Sequence, residues 1–183
     1  VWDVAAGNEA DGRRWRGHDF ALTYGCGAYR PCEDLVAQAA KPAGLDGAAP
    51  ARLNAEWDGL KPWPKVPSVR TALRARGLEL GVATNFSIPL GRRAAARCGV
   101  PFDAVITGEE GGFHTPRPEP YLAVLDALGM TPDEALFVAG SPSDVPGAAR
   151  VGMPARLRQE PGRGKATSPV CASYSAPGWR GMD

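Results

Sequence analysis

Long apolar runs, charge of one sign, histidines and paired cysteines are all scarce in this 183-residue chain. No apolar stretch approaches the ~20 residues that span a bilayer, so no membrane partner is expected. Val1-Trp2-Asp3 is not a basic region followed by an apolar one, which argues against a secretory signal. Cys26, Cys32, Cys98 and Cys171 lack metal-ligand spacing, and the chain has 2 histidines. A structural zinc site is therefore not expected, and the pattern fits reduced thiols in a cytoplasm. The 21 Lys and Arg are dispersed among 20 acids, for a net charge of +1. That leaves no basic stripe for nucleic acid. Arg13-Arg14-Trp15-Arg16 is the one dense basic cluster and reads as a solvated helix face. The abundance of Ala, Gly, Arg and Pro points to a GC-rich bacterial genome.

What is present is an ordered alternation of elements. Residues 13–60 read as helical. Leu35, Val36 and Ala39 recur at helical spacing, and Leu53, Trp57 and Leu60 share one face of the next segment. Lys61-Pro-Trp-Pro-Lys-Val-Pro67 then interrupts the chain with three prolines, which marks a boundary. From Val69 helices and strands alternate. Ser68 is positioned to cap a helix ending near Gly77, followed by a strand over 78–83, a helix over 90–98 and a strand over 104–107. A helix over 118–128, a strand over 135–139 and a short helix over 145–151 complete the series. This order predicts βαβ units and a Rossmann-like parallel α/β core over 63–157, with a small helical cap over 1–62. Residues 158–183, rich in Gly, Pro and Ser, read as a poorly ordered tail with Trp179 as its anchor.

Ligands of open parallel sheets bind beyond the carboxyl ends of the strands. Three segments reach that edge: Thr84-Asn85, the loop 113–121, and Ser141 to Asp144. Thr84 and Asn85 can hydrogen-bond an anionic oxygen, or cap the next helix. Asp144 can orient water or a cation, or cap the helix that follows. Tyr121 can face the site or pack in the core. His114 is exposed-loop material on the right edge, a weak candidate for a base. Glu109 reads as structural and Glu110 as a surface charge.

Together Gly81-Val-Ala-Thr-Asn-Phe-Ser87, Leu90 to Asp103, Thr115-Pro-Arg-Pro-Glu-Pro-Tyr121 and Leu136 to Ala148 resemble the haloacid dehalogenase superfamily, in its 2-haloacid dehalogenase type. The resemblance covers roughly residues 13 to 155. It implies a hydrolase that acts on a small anionic organic acid through an aspartyl ester, without a metal or other cofactor. It also implies catalytic roles for Thr84, Asn85, Ser141 and Asp144, and substrate contacts for Tyr121 and Thr115. Three departures accompany it. The family's nucleophilic Asp, at the end of the first core strand, has no counterpart; Trp2-Asp-Val-Ala-Ala-Gly7 imitates it only superficially. Thr115 stands where the family has Lys, with Arg117 two residues away. Leu22-Thr-Tyr-Gly-Cys-Gly27 lacks the Arg that meets substrate in that cap. Gly140, in place of the metal-binding Asp of magnesium-dependent phosphatases, agrees with the dehalogenase branch. A sheet without its first strand would leave ladder groups exposed. Marginal stability is therefore expected, or association that covers the gap, such as a homodimer.

Overall fold

The computed structural model describes residues 1–158; the expectations for the tail beyond Arg158, with Cys171 and Trp179, fall outside the described residues. The amino-terminal third is helical, as α1 (Trp2–Ala6), α2 (Glu9–Gly25), α3 (Cys32–Ala40) and α4 (Ala49–Ala55). Asn8 starts α2 by accepting the Asp11 N–H at 2.9 Å. Trp15 is fully buried in a cluster otherwise made mostly of alanines, with Ala39, Ala40, Ala43 and Ala49 around it. The neighbouring Arg13, Arg14 and Arg16 stay exposed, the solvated face expected of them. Asp3 lies in α1 rather than at a strand end.

After a 3-10 turn over Glu56–Gly59 and the proline segment, the chain runs α5 (Val66–Ala75), β1 (Gly81–Thr84), α6 (Ile88–Ala96) and β2 (Ala104–Thr107). It continues through α7 (Gly108–Gly111), α8 (Pro118–Leu128), β3 (Phe137–Ala139), α9 (Asp144–Arg150) and β4 (Ala155–Leu157). Ser68 does not cap α5. Pro67 fits the first turn because it needs no N–H partner there, so the helix starts at Val66, and the Ser68 hydroxyl donates to the Lys65 carbonyl at 3.0 Å. Nor do Thr84 and Asn85 cap α6, whose N-cap is Ser87. Its first N–H, of Ile88, donates instead to Glu109 at 2.7 Å, which makes Glu109 structural as expected. Glu110 is more than a surface charge. It closes a capping box with Thr107 and pairs with Arg92.

The strands form two separate parallel pairs, β1 with β2 and β3 with β4. Each pair is joined by one helical crossover, α6 or α9, as parallel pairing requires. α8 packs across β1 and β2 and sends Tyr121 and Leu125 into a second cluster with Ala139, Val145, Ala148 and Met153. Its approach to β1 depends on Gly81, where a Cβ would stand 2.7 Å from Val124. Trp57 joins the helical layer to the strands. Its ring sits edge-on to Phe86, and its indole N–H donates to the Leu90 carbonyl at 3.1 Å. β1 and β3 border the same open cleft, and each has a free edge there among the described residues. This is the gap that a missing first strand predicts.

Candidate functional site

A cleft of about 1090 Å³ opens at the carboxyl ends of β1 and β3. Thr84, Asn85, Thr115, Ser141 and Asp144 all line it, so five of the six sequence-predicted residues come together. Tyr121 is the exception. It is fully buried behind the wall, and its hydroxyl donates to the Asp144 carboxylate at 3.1 Å. It therefore reaches the cleft only through Asp144.

Each wall residue is held in a distinct way. The Asn85 side chain clamps the 113–116 loop to β1. Its Oδ1 accepts the Thr115 N–H at 2.6 Å, and its amide donates to the Thr115 carbonyl at 3.4 Å. Thr84 ends β1 beside Gly91, and its hydroxyl makes no hydrogen bond within the described residues, so it is available to a ligand. Ser141 and Ser143 share a 2.8 Å hydrogen bond, and Ser143 is also 2.6 Å from the Tyr24 hydroxyl on α2. The contact between Tyr24 and Ser143 was missed in the sequence, because nothing local to either announces a partner 119 residues away. Asp144 is the first residue of α9 and makes no capping bond of its own.

Burial pushes the Asp144 carboxyl up from its ordinary range, although the Thr115 and Tyr121 hydroxyls and a backbone N–H oppose it. Burial and the neighbouring carboxylate also push the Tyr121 phenol up. The Cys32 thiol, on the cap side of the cleft, is pushed up to about 12 by desolvation and the adjoining Glu33. Neither the phenol nor the thiol is poised as a nucleophile at neutral pH. His114 is not loop-exposed but 2% accessible, tilted against Tyr29 and within 3.0 Å of the Arg30 carbonyl. Burial lowers its basicity, and it locks the 113–116 loop to residues 28–30 rather than facing the cleft. Arg117 does not turn inward to replace the missing Lys; it pairs with Glu119 on the surface at 2.9 Å.

A divalent cation does not suit this donor set. Among the described residues no three His, Cys, Asp or Glu side chains gather to hold a metal ion. Gly140 offers no oxygen side chain, and Asp144 already accepts from Tyr121.

Asp19, on α2, also lines the cleft, and burial raises its carboxyl to about 6 against the pull of Arg16. The folded state thus holds this proton more tightly than the unfolded chain. The contribution to stability is complete below about pH 4 and is lost as pH rises through 6, by at most about 3 kcal/mol. Asp19→Asn is therefore expected to raise the melting temperature at pH 7.5 and to leave it unchanged at pH 4. Equal shifts at both values would contradict this assignment.

Paired βαβ strands, a helical layer over their carboxyl edge and a threonine, a serine and an aspartate at that edge are the arrangement of the dehalogenase–phosphatase class of α/β proteins. The chain belongs to the haloacid dehalogenase-like hydrolase family, whose pattern matches residues 3–152. It is 33% identical over 161 residues to a phosphoglycolate phosphatase of Rhodospirillum rubrum, which covers 83% of this chain and 65% of that protein. It thus spans about two thirds of that relative's length. Among solved structures, an L-2-haloacid dehalogenase shares 25% identity and a TM-score of 0.70, over 91% of this chain and 75% of the other. A HAD phosphatase from Thermococcus onnurineus shares 27% identity and a TM-score of 0.60, over 91% of this chain and 79% of the other.

Proposed function

We propose that the cleft is the anion-holding half of a metal-independent hydrolase site of the 2-haloacid dehalogenase type, taking small 2-substituted carboxylic acids. The carrying observation is the chemistry of the wall. Neutral hydroxyls at Thr84 and Ser141 line the cleft beside the Asp144 carboxyl, which burial raises from its ordinary range. Hydroxyls so placed can donate hydrogen bonds to an oxygen of a small acid without a metal ion. Attack on carbon requires a nucleophilic carboxylate at a strand end. β1 and β3 end in Thr84-Asn85 and Gly140-Ser141, so the chain holds the substrate without attacking it.

The test is titration of the isotope-labelled chain with 2-chloropropionate, followed by amide NMR shifts, together with an assay for halide. Shifts are expected over 84–85 and 140–144, without halide release. Thr84→Ala is expected to weaken binding about tenfold, the worth of one charge-assisted hydrogen bond. Sustained halide release would overturn the division between holding and attack. A second reading, phosphatase activity, draws support from the 33% identity to the phosphoglycolate phosphatase. Magnesium-dependent release of phosphate from 2-phosphoglycolate would favour it over the first.

A further inference from the structure

Tyr24 stands in the last turn of α2 and Ser141 lies just beyond β3, yet a chain of hydroxyls joins them. The Tyr24 oxygen is 2.6 Å from Ser143 Oγ, which is in turn 2.8 Å from Ser141 Oγ. In both contacts either oxygen can supply the proton. Tyr24 and Ser141 line the cleft, so what the chain offers a ligand depends on which way its protons run.

A serine hydroxyl has one proton to give and two lone pairs to accept with. If Ser141 spends its proton on Ser143, it turns only lone pairs to the cleft and repels an anion. If Ser143 donates to Ser141, the Ser141 proton is free for a carboxylate oxygen. Two serines do not set this direction by themselves. Tyr24 does, because a phenol is a stronger acid than an aliphatic alcohol and so the better donor. Donation from Tyr24 to Ser143 leaves the Ser143 proton for Ser141, and hydrogen bonds that run one way strengthen one another.

The packing keeps the three hydroxyls in line. The Tyr24 ring stacks on Phe20, one turn back on α2, at 5.7 Å and 5° from parallel. Phe20 carries the Arg16 guanidinium on its own ring at 5.0 Å. Pro142, between the serines, has a fixed φ, and the Asp144 N–H closes their turn on the Ser141 carbonyl at 3.1 Å. The Asp144 carboxyl does not intercept the chain, since it takes the hydroxyls of Thr115 and Tyr121.

We propose that Tyr24 is a positioning residue of the acid site, which acts through Ser143 to hold the Ser141 hydroxyl as a donor toward the bound carboxylate. This role rests on the reading of the cleft as a holder of small 2-substituted acids. It also makes the hold on the acid depend on the helical layer, because the relay begins on α2 and ends at the strand edge.

The test places 3-fluorotyrosine at residue 24 and works at pH 6, where the phenol keeps its proton. Fluorine makes the phenol more acidic, and 2-chloropropionate is expected to bind about twice as tightly as to the natural chain. Tyr24→Phe keeps the ring stack and should weaken binding about fivefold, as should Ser143→Ala. The two together should cost no more than either alone, since both break one relay. In the free protein the fluorine resonance should move on Ser141→Ala, although Ser141 does not touch Tyr24. Wild-type affinity in Tyr24→Phe, with binding still weakened by Thr84→Ala, would overturn the relay and leave the acid site standing. Binding unchanged or weakened by the fluorine would overturn it as well. A wild-type chain that gives no amide shifts with 2-chloropropionate would sink the acid site instead. The relay would then be judged in the free protein, where a fluorine resonance indifferent to Ser141→Ala would overturn it.

Discussion

Trp15→Ala is expected to cost about 4 kcal/mol and to melt the helical layer before the strand pairs. Fully buried tryptophans lose roughly 3–5 kcal/mol on truncation, and the loss grows with the cavity that remains. The surroundings give this cavity little chance to collapse. Trp15 meets Trp2 edge-on at 4.9 Å, and most other members of its cluster are alanines. The alanines are too small to fill the space. The indole N–H also donates to the Val36 carbonyl at 2.9 Å, a tie between α2 and α3 that the truncation removes. Denaturant titration gives the total loss, and amide exchange locates it; early exchange over 9–55 with protection kept over 121–157 is the expected pattern. A loss below about 1 kcal/mol would mean that the helical layer draws its stability from elsewhere.

The second large effect is placed at the site itself. Gly147→Ala is expected to destabilise the chain by about 3 kcal/mol, the upper end for overpacking, and to abolish the amide shifts caused by 2-chloropropionate. A Cβ on Gly147 would stand 2.7 Å from the Tyr121 hydroxyl, 2.8 Å from Pro116 Cβ and 2.9 Å from the Pro116 carbonyl. Two of these three contacts belong to the residue that follows Thr115, so relief requires moving the loop that carries Thr115. The Tyr121 hydroxyl would be displaced from Asp144 at the same time, which frees the carboxylate from its donor. Thermal unfolding checks the first part and the NMR titration the second. Unchanged shifts with lowered stability would show that the wall tolerates movement of the Thr115 loop.

Much of the fold could be read from residue patterns, and the reason is local. β1 and β2 are short apolar runs bounded by turn residues, α8 is closed by Gly129 in a left-handed conformation (φ 64°), and the prolines of 62–67 separate the helical layer from the strands. Five wall residues were legible because a parallel sheet delivers every strand end to one edge. What escaped was decided by distant contacts. His114 reads as exposed loop, yet it is buried because the 28–30 segment folds over it. Tyr121 has the position of a ligand contact, but the close approach of Gly147 turns it to Asp144 instead. β4 went unassigned because a three-residue run, Ala155-Arg-Leu157, carries no period of its own. Asp19 and Arg70 look like ordinary surface charges on amphipathic helices. Their burial follows from which helices pack against them, and no spacing rule records that.

The pairing of each strand with its nearest neighbour in sequence also sets how the molecule assembles. Partners such as Gly81 with Ala104, and Phe137 with Ala155, lie roughly twenty residues apart, each enclosing a single crossover helix. Loop closure of that size is fast, and folding rates rise as contacts become more local. The two pairs are therefore expected to form as separate units, with their docking against α8 as the slow step. Refolding followed at Trp57 should therefore lag behind the gain of backbone signal.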